Sequence, residues 1–333
     1  MTFLDATRTV MTTCVLTAVS VAAMSSVAAM STVATAQPLP PLPGITSSSL
    51  PPLPSCGNWE QETVAQGLGP LENINFDQRG GMLLSEQSAN GIDGSIKRLE
   101  ADGPPRTLVA NIESPGGIVV DGDTAYFTTG NSFLSGLTNQ ADGTLRAVNL
   151  DSGRVTTVAD GLRMPNGLAQ LPDGDFVVSR NLGPHTGLTK ISRDGTQVTR
   201  FAEQVNSPNG LALDAERNLL VASTAFDADT NIVLIDIDNP TTSMKSIAIP
   251  GFGALNVADD LTVSPDGQIF VALNGAGRIV QVDPEDGSAC SVTDSVPFAS
   301  SVRFGSGPGW DSDSLYVSDF LGNVTRLTPP ATP

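Results

Sequence analysis

Glu72, Asn166, Asn209 and Asp259 recur at one point of a long repeat, and all four end in oxygen-bearing groups. Two carboxylates and two amides can present only oxygen to a cation. Such hard donors suit Ca²⁺ or another divalent cation of the same kind, whereas zinc prefers Cys and His. Two carboxylates in one narrow cavity repel each other unless a cation lies between them. The chemistry this permits is carbonyl polarisation and oxyanion stabilisation during attack by water. Asp259 or Glu72 could also accept the water's proton, with Asp260 and the single histidine, His185, as further candidates.

The repeat that carries these residues is a phrase. It reads Ser114-Pro115-Gly116-Gly117-Ile118, Met164-Pro165-Asn166-Gly167-Leu168, Ser207-Pro208-Asn209-Gly210-Leu211 and Val257-Ala258-Asp259-Asp260-Leu261. An earlier variant is Pro70-Leu71-Glu72-Asn73-Ile74, and a degenerate one is Ala299-Ser300-Ser301-Val302-Arg303. The steps from one phrase to the next are about 43 to 50 residues, the scale of one four-stranded propeller blade. Equivalent points of the blades converge on a central axis, so residues distant in sequence become neighbours. Asn-Gly alone is a common hairpin turn. Here, however, Pro172-Asp173-Gly174 and Glu216-Arg217-Asn218 already supply the hairpin turns. Asn166 and Asn209 stand instead where the chain enters the innermost strand.

Apolar runs rich in Val, Ile, Leu and Thr follow each phrase, separated by turns such as Asp121-Gly122 and Pro265-Asp266-Gly267. This predicts an all-β, six-bladed β-propeller with four antiparallel strands per blade. In blade three the strands fall near 167–171, 176–179, 188–191 and 197–201. The sixth unit is one strand short, while Glu62-Thr63-Val64-Ala65 is left over ahead of the first phrase. An N-terminal strand is therefore expected to close the last blade, leaving no open edge. That closure brings Cys56 and Cys290 to one rim and predicts a disulfide between them.

The chain has 333 residues, net charge −18 and pI near 4.2. Such acidity repels phosphate backbones, so nucleic acid is excluded as a partner. Residues 1–36 read as a signal peptide. Arg8 precedes an apolar run, and Ala34-Thr35-Ala36 forms a cleavage site. Residues 37–57 are a Pro-rich linker, and 58–330 form the propeller. The expectation is a secreted or cell-envelope protein, without stable membrane insertion once the signal is removed, monomeric and acting on a small-molecule substrate.

With these phrases in place, the chain resembles the senescence-marker-protein/gluconolactonase family, six-bladed propellers related to paraoxonases. In that family a Glu opens blade one, an Asn blade three, an Asn within a Ser/Pro-Asn-Gly phrase blade four, and an Asp blade five. Carried over, these are Glu72, Asn166, Asn209 and Asp259. Val302-Arg303-Phe304-Gly305 with Leu315-Tyr316-Val317-Ser318 resembles the family's last blade. The resemblance implies a divalent-metal-dependent hydrolase, commonly a lactonase. Blade one here reads Glu72-Asn73-Ile74 where sugar-lactone members have Glu-Gly-Pro, and blade three has Arg163-Met164-Pro165-Asn166 where they have Arg-x-Asn-Asp. These departures weaken the case for a sugar lactone and leave the metal set intact.

His185 lies in a loop expected to overlook the tunnel mouth. Phe133, in the long loop from Gly130 to Gly143, could form part of a lid, with Phe226 and Phe320 in comparable loops; these three and Asp260 are the expected substrate-pocket residues. An apolar rim favours a substrate less polar than a sugar acid. No G-x-S-x-G elbow and no G-x-x-x-x-G-K-S/T loop occur. Two rival readings share the fold: a non-catalytic ligand- or protein-binding propeller with a structural metal, and a metal-free enzyme like strictosidine synthase.

Overall fold

The computed structural model describes residues 52–331. The signal-peptide segment 1–36 and most of the 37–57 linker lie outside the described residues. A first strand, β1 (Glu60–Ala65), precedes the repeats. Blade one then holds β2 (Leu71–Phe76), β3 (Gly81–Glu86), β4 (Gly94–Glu100) and β5 (Arg106–Ile112). Blade two holds β6 (Ile118–Asp121), β7 (Thr124–Thr129), β8 (Gly143–Asn149) and β9 (Val155–Leu162). Blade three is β10 (Leu168–Gln170), β11 (Phe176–Arg180), β12 (Gly187–Ile191) and β13 (Val198–Phe201). Blade four is β14 (Pro208–Asp214), β15 (Leu219–Thr224), β16 (Asp229–Asp236) and β17 (Met244–Phe252). Blade five comprises β18 (Ala258–Val263), β19 (Ile269–Leu273), β20 (Arg278–Val282) and β21 (Ala289–Thr293), and blade six β22 (Ala299–Phe304), β23 (Leu315–Asp319) and β24 (Val324–Thr328).

Each blade is a four-stranded antiparallel sheet, and the sixth has the order β1-β24-β23-β22. The expected closing strand is β1, and it begins two residues earlier than the sequence suggested. It pairs with β24 from Glu60 opposite Thr328 to Ala65 opposite Val324. The inner strands β2, β6, β10, β14, β18 and β22 touch in ring order, and β22 returns to β2. The architecture is the six-bladed propeller that the repeat count predicts.

Both faces of a blade are covered by neighbours, so its strands read as continuous apolar runs. In β11, Phe176, Val177 and Val178 are all buried. Six apolar clusters fill the spaces between adjacent blades. Each fully buried Leu, Ile, Val or Phe contributes about 1.5–3 kcal/mol relative to exposure. At the closure between blades six and one, Phe76, Trp310 and Tyr316 meet edge to face. There the Trp310 indole N–H donates to the Gly80 carbonyl at 2.9 Å, satisfying its only polar group.

Cys56 and Cys290 form the predicted disulfide, their Cα atoms 5.1 Å apart. Cys290 lies on β21, the outer strand of blade five. The Cys56 N–H donates to Ser291 O at 2.9 Å, and the Ser291 N–H to Pro54 O at 2.7 Å. The segment 54–56 thus lies along part of an otherwise open sheet edge, and the disulfide fixes it there.

Candidate functional site at the tunnel mouth

The repeat phrase is a backbone device. Ser114, Met164, Ser207, Val257 and Phe298 all have left-handed φ, between 37° and 57°. Each stands immediately before the Pro or Ala that opens an inner-strand phrase. For a β-branched residue such as Val257 this conformation is strained, and the surrounding packing must impose it. The strand register then slips between Leu71 and Asn73, Pro208 and Leu211, Ala258 and Leu261, and Ala299 and Ser301. An irregularity of this kind bends the strand and re-aims a side chain. Glu72, Asn209 and Asp259 fall within these slips. Asn166 lies just ahead of β10, where its N–H donates to Ser179 O at 2.9 Å.

Glycine follows both asparagines because the inner backbones nearly touch. A Cβ on Gly167 would lie 2.2 Å from Asn209 O, and one on Gly210 2.4 Å from the Asp260 Cα. A series of hydroxyls then ties each blade to the next. Ser85 Oγ donates to Gly116 O at 2.5 Å, Thr128 Oγ1 to Asn166 O at 3.0 Å, and Ser223 Oγ to Asp259 O at 2.5 Å. Ser179 Oγ makes the equivalent bond to Asn209 O. Every donor sits on the second strand of its blade, and every acceptor is the carbonyl at the repeat point of the next blade.

Glu72, Asn166, Asn209, Asp259 and Asp260 are all buried. Glu72 Oε1 accepts from Asn131 Nδ2 at 2.7 Å, and Oε2 from Gln87 Nε2 at 3.2 Å. Burial pushes the Glu72 carboxyl up to about 7; the Asn131 hydrogen bond opposes this and repulsion from Asp260 adds to it. Burial also raises Asp259 well above the usual carboxylate range, reinforced by repulsion from Glu72 and then Asp260, while the Asn209 amide opposes it. Blades one, four and five therefore deliver interacting groups to one place. Asn209 Nδ2 also donates to Ala258 O at 3.2 Å, but Asn209 Oδ1 is buried with no hydrogen-bond partner.

Asp260 differs from Asp259. Its Oδ2 accepts from Asn73 Nδ2 at 2.7 Å and Ser301 Oγ at 2.6 Å, and pairs with Arg303 Nη2 at 2.9 Å. Its Oδ1 has no partner. Arg303 also donates to Val302 O at 2.9 Å and to Leu261 O. Asp260 is thus a neutralised charge bound into the walls of the tunnel. A cavity of about 450 Å³ opens at the hairpin-turn end of the inner strands, lined by Asn75, Arg217 and Arg303. None of the four repeat-point residues lines it, so the carboxylate mouth is the better place for chemistry.

His185 is exposed in the loop after β11, with φ of 64°. Among the described residues no hydrogen bond joins it to Glu72 or Asp259. It lines a separate cavity of about 410 Å³ with Arg163, Arg180 and Arg200. Phe133, Phe226 and Phe320 are half-buried in loops on the carboxylate face. The loop from Gly130 to Gly143 contains a short helix, Phe133–Thr138, which the sequence reading missed. Ser132 Oγ caps its start by accepting from Ser135 N, and Asn139 ends it in the left-handed conformation. Gln87, Asn131 and Asn181 were also missed. Asn181 is buried with Oδ1 unpartnered, and its carbonyl accepts from Ser207 Oγ at 2.7 Å, beside Asn209. All three lie one or two residues past the end of a blade's second strand, a spacing that the sequence does contain.

Among the described residues, no group of three or more His, Cys, Asp and Glu side chains is arranged to hold a metal ion. Two carboxylates and the Asn209 amide meet at the tunnel mouth, while Asn166 is buried at the equivalent point of blade three with only its backbone N–H and carbonyl seen in hydrogen bonds. The buried, unpartnered Asn209 Oδ1 next to two mutually repelling carboxylates fits a hard cation.

Residues 177–320 match the family model of the SMP-30/gluconolactonase/LRE-like region. YvrE of Bacillus subtilis (strain 168), by name a sugar lactone lactonase, is 26% identical over 149 residues. That match covers 42% of this chain and 47% of YvrE, about half the length of that relative. Among solved structures, a gluconolactonase from Xanthomonas campestris superposes with a TM-score of 0.64 at 15% identity, over 84% of this chain and 95% of that one. Regucalcin, a calcium-binding protein of Agrobacterium tumefaciens, gives 0.62 at 15% identity, over 81% and 93%. At such identities these structures speak for the fold alone. The kinship suggested by the repeat phrases is thereby shown, carried by an SMP-30/gluconolactonase/LRE-like region that spans residues 177–320.

Proposed function

We propose that this protein is an exported, divalent-metal-dependent hydrolase of a lactone or a related ester bond. The observation that carries this reading is the meeting of buried Glu72 and Asp259 beside the unpartnered Oδ1 of Asn209. The names of YvrE and of the Xanthomonas protein support lactone hydrolysis, and regucalcin's calcium binding supports Ca²⁺ as the cation. Glu72, Asn166, Asn209 and Asp259 would hold the ion. When bound, it supplies Lewis-acid polarisation of the substrate carbonyl and stabilises the developing oxyanion.

The chain's own groups do the rest. Asp259 or Glu72 takes the proton of the attacking water on a carboxylate oxygen. Asn131 and Gln87 fix the Glu72 carboxylate so that it need not reorganise during the reaction. Arg303 neutralises Asp260 below and limits the negative charge beneath the mouth.

The rim points to a substrate less polar than a sugar acid. Ile92, Leu134, Leu137, Phe298 and Leu321 are exposed large apolar side chains. Antiparallel alternation puts their loops on the face where the inner strands begin. The loops bearing Ile92 and Leu134 start beside Gln87 and Asn131, the two donors to Glu72. The disulfide fits an oxidising compartment, and no helix among the described residues is long and apolar enough to cross a membrane.

A panel of sugar lactones, alkyl-substituted lactones and aryl esters, assayed with and without chelator, tests the proposal. Turnover that chelator abolishes and Ca²⁺ restores is the expected result, strongest on the alkyl-substituted lactones. Metal binding without turnover would favour the non-catalytic binding propeller, and chelator-insensitive chemistry the strictosidine-synthase-like reading.

A further inference from the structure

The chain carries 35 acidic residues against 17 Lys and Arg. In the cleft between blades two and three that balance is inverted. Arg163, Arg180 and Arg200 line one cavity of about 410 Å³, with His185 beside them and Glu203 the one acidic lining residue. The volume falls in the range of ordinary small-molecule sites.

The central guanidinium is unusual in its partners. Arg180 is only 7% exposed, yet its three hydrogen bonds all go to neutral oxygens: Leu182 O at 3.1 Å, Asn139 Oδ1 at 2.9 Å and Gly136 O at 3.1 Å. Arg163 donates to Asn139 O. Among the described residues neither Arg163 nor Arg180 has a carboxylate within ion-pair distance. Arg200 meets only Glu203, at 3.5 Å, and both are largely exposed, so that pair is weak. Burial, and then the positive charge of Arg163, both act against the charged form of Arg180. Buried charges are normally paired, and an unpaired one is costly.

Neutral acceptors hold Arg180 in place without neutralising it. Asn139 caps the helix Phe133–Thr138, and the Gly136 carbonyl belongs to that helix. The guanidinium is thereby pinned between blades two and three while its charge stays uncompensated. Rigid forks of this kind match the oxygens of carboxylates and phosphates.

We propose that the cleft between blades two and three is a second binding site, which takes a small multivalent oxyanion through Arg163, Arg180 and Arg200, with His185 as an additional donor. The site is separate from the carboxylate mouth and does not depend on the hydrolase reading. A phosphate ester and a polycarboxylate share the chemistry it recognises.

The test titrates the full, metal-free chain with inorganic phosphate and, separately, with citrate, following heat of binding and melting temperature. Ionic strength is held constant with chloride, because diffuse attraction to surface charge is largely screened by salt whereas a partly buried site is screened much less. Saturable binding of at least one anion is expected, and the tighter of the two identifies the ligand class. Arg163 and Arg200 are exposed, so the double variant Arg163→Gln/Arg200→Gln should fold normally. It should lose affinity by about tenfold or more. Asp259→Ala, at the other site, should leave anion affinity unchanged. Absence of saturable binding in the wild-type chain would overturn the proposal. So would equal affinity in the double variant, or anion affinity that falls with Asp259→Ala.

Discussion

Asn131 Nδ2 stands 2.7 Å from Glu72 Oε1, so a loop of blade two holds the carboxylate of blade one. This bond crosses a blade boundary at the tunnel mouth. It also ties the Phe133–Thr138 helix, which starts two residues later, to the candidate site.

Replacing Asn131 with Ala should therefore disturb both stability and chemistry. Removing one partner of a buried hydrogen bond to a charged group costs about 1–3 kcal/mol. The expected outcome is a lower melting temperature together with a fall in kcat greater than the rise in KM, since Glu72 loses its orientation. A variant that melts lower but retains full kcat would leave Asn131 with a purely structural role.

The two neighbouring aspartates should respond differently. Asp259→Ala removes a proposed ligand and should abolish Ca²⁺ binding and turnover together; full metal affinity and full activity in this variant would remove the tunnel-mouth site. Asn166→Ala leaves both carboxylates and should weaken binding less. Asp260→Ala leaves the partly buried Arg303 guanidinium without its carboxylate; breaking a fully buried pair costs about 3–5 kcal/mol, and the partial exposure of Arg303 makes the loss smaller. Its signature is destabilisation with or without metal. His185→Ala should leave metal affinity and kcat close to wild type, as measured by calorimetry and lactone hydrolysis.

The metal-free protein should be most stable in mild acid. An unfolded Glu ionises near 4.5, while Glu72 in the fold holds its proton to about 7. Between those values the folded state binds more protons, so stability falls as pH rises through this window. Asp259 is shifted in the same direction and adds to the slope. Saturating Ca²⁺ should flatten or reverse the trend, because a cation favours both charged carboxylates. Melting temperatures between pH 4.5 and 8, with chelator and with Ca²⁺, measure it. A chelated protein that gains stability toward pH 7 would contradict the burial of these groups.

Gly167→Ala and Gly210→Ala should destabilise through contact alone. The added methyl would meet backbone atoms at 2.2 Å and 2.4 Å, and backbone at the ring's centre has little room to shift. Overpacking of this kind costs about 1–3 kcal/mol or more. Denaturant unfolding of the two variants is the measurement. Gly122→Ala, with nothing near its Cβ position, controls for the loss of a glycine as such, although its φ of 61° adds some strain.

Breaking the Cys56–Cys290 link should release the segment that covers part of the β21 edge. A native disulfide typically contributes about 2–4 kcal/mol. Cys56→Ser should lower the melting temperature under non-reducing conditions, and a reductant should lower the wild type to match. Hydrogen exchange should rise first at Ser291, whose N–H is held by Pro54 O.

Much of this protein is written in its local sequence. The blade period, the apolar runs and the hairpin turns are short-range features, and they are enough to count six blades. The missing strand after Val324–Thr328 and the spare strand near Glu62 even reveal how the ring closes, and that closure predicts the Cys56–Cys290 pair. The repeat phrase likewise marks Glu72, Asn166, Asn209 and Asp259, because every blade places the same strand position at the axis.

Tertiary structure decided what stands beside those residues. Asn131 meets Glu72 only because a loop of blade two reaches blade one, a contact that no periodicity encodes, whereas Gln87 reaches Glu72 within the β2–β3 hairpin of blade one itself. Asp259 and Asp260 are adjacent in sequence, yet one faces Glu72 and Asn209 while the other is neutralised by Arg303, a separation made where the β18 register slips. His185 belongs to an arginine-lined cleft because its loop leaves β11 toward blade two, whereas sequence spacing fixes only the face on which the loop emerges. Strand period sets which face a side chain occupies; the packing of one blade against the next sets which charges share a cavity.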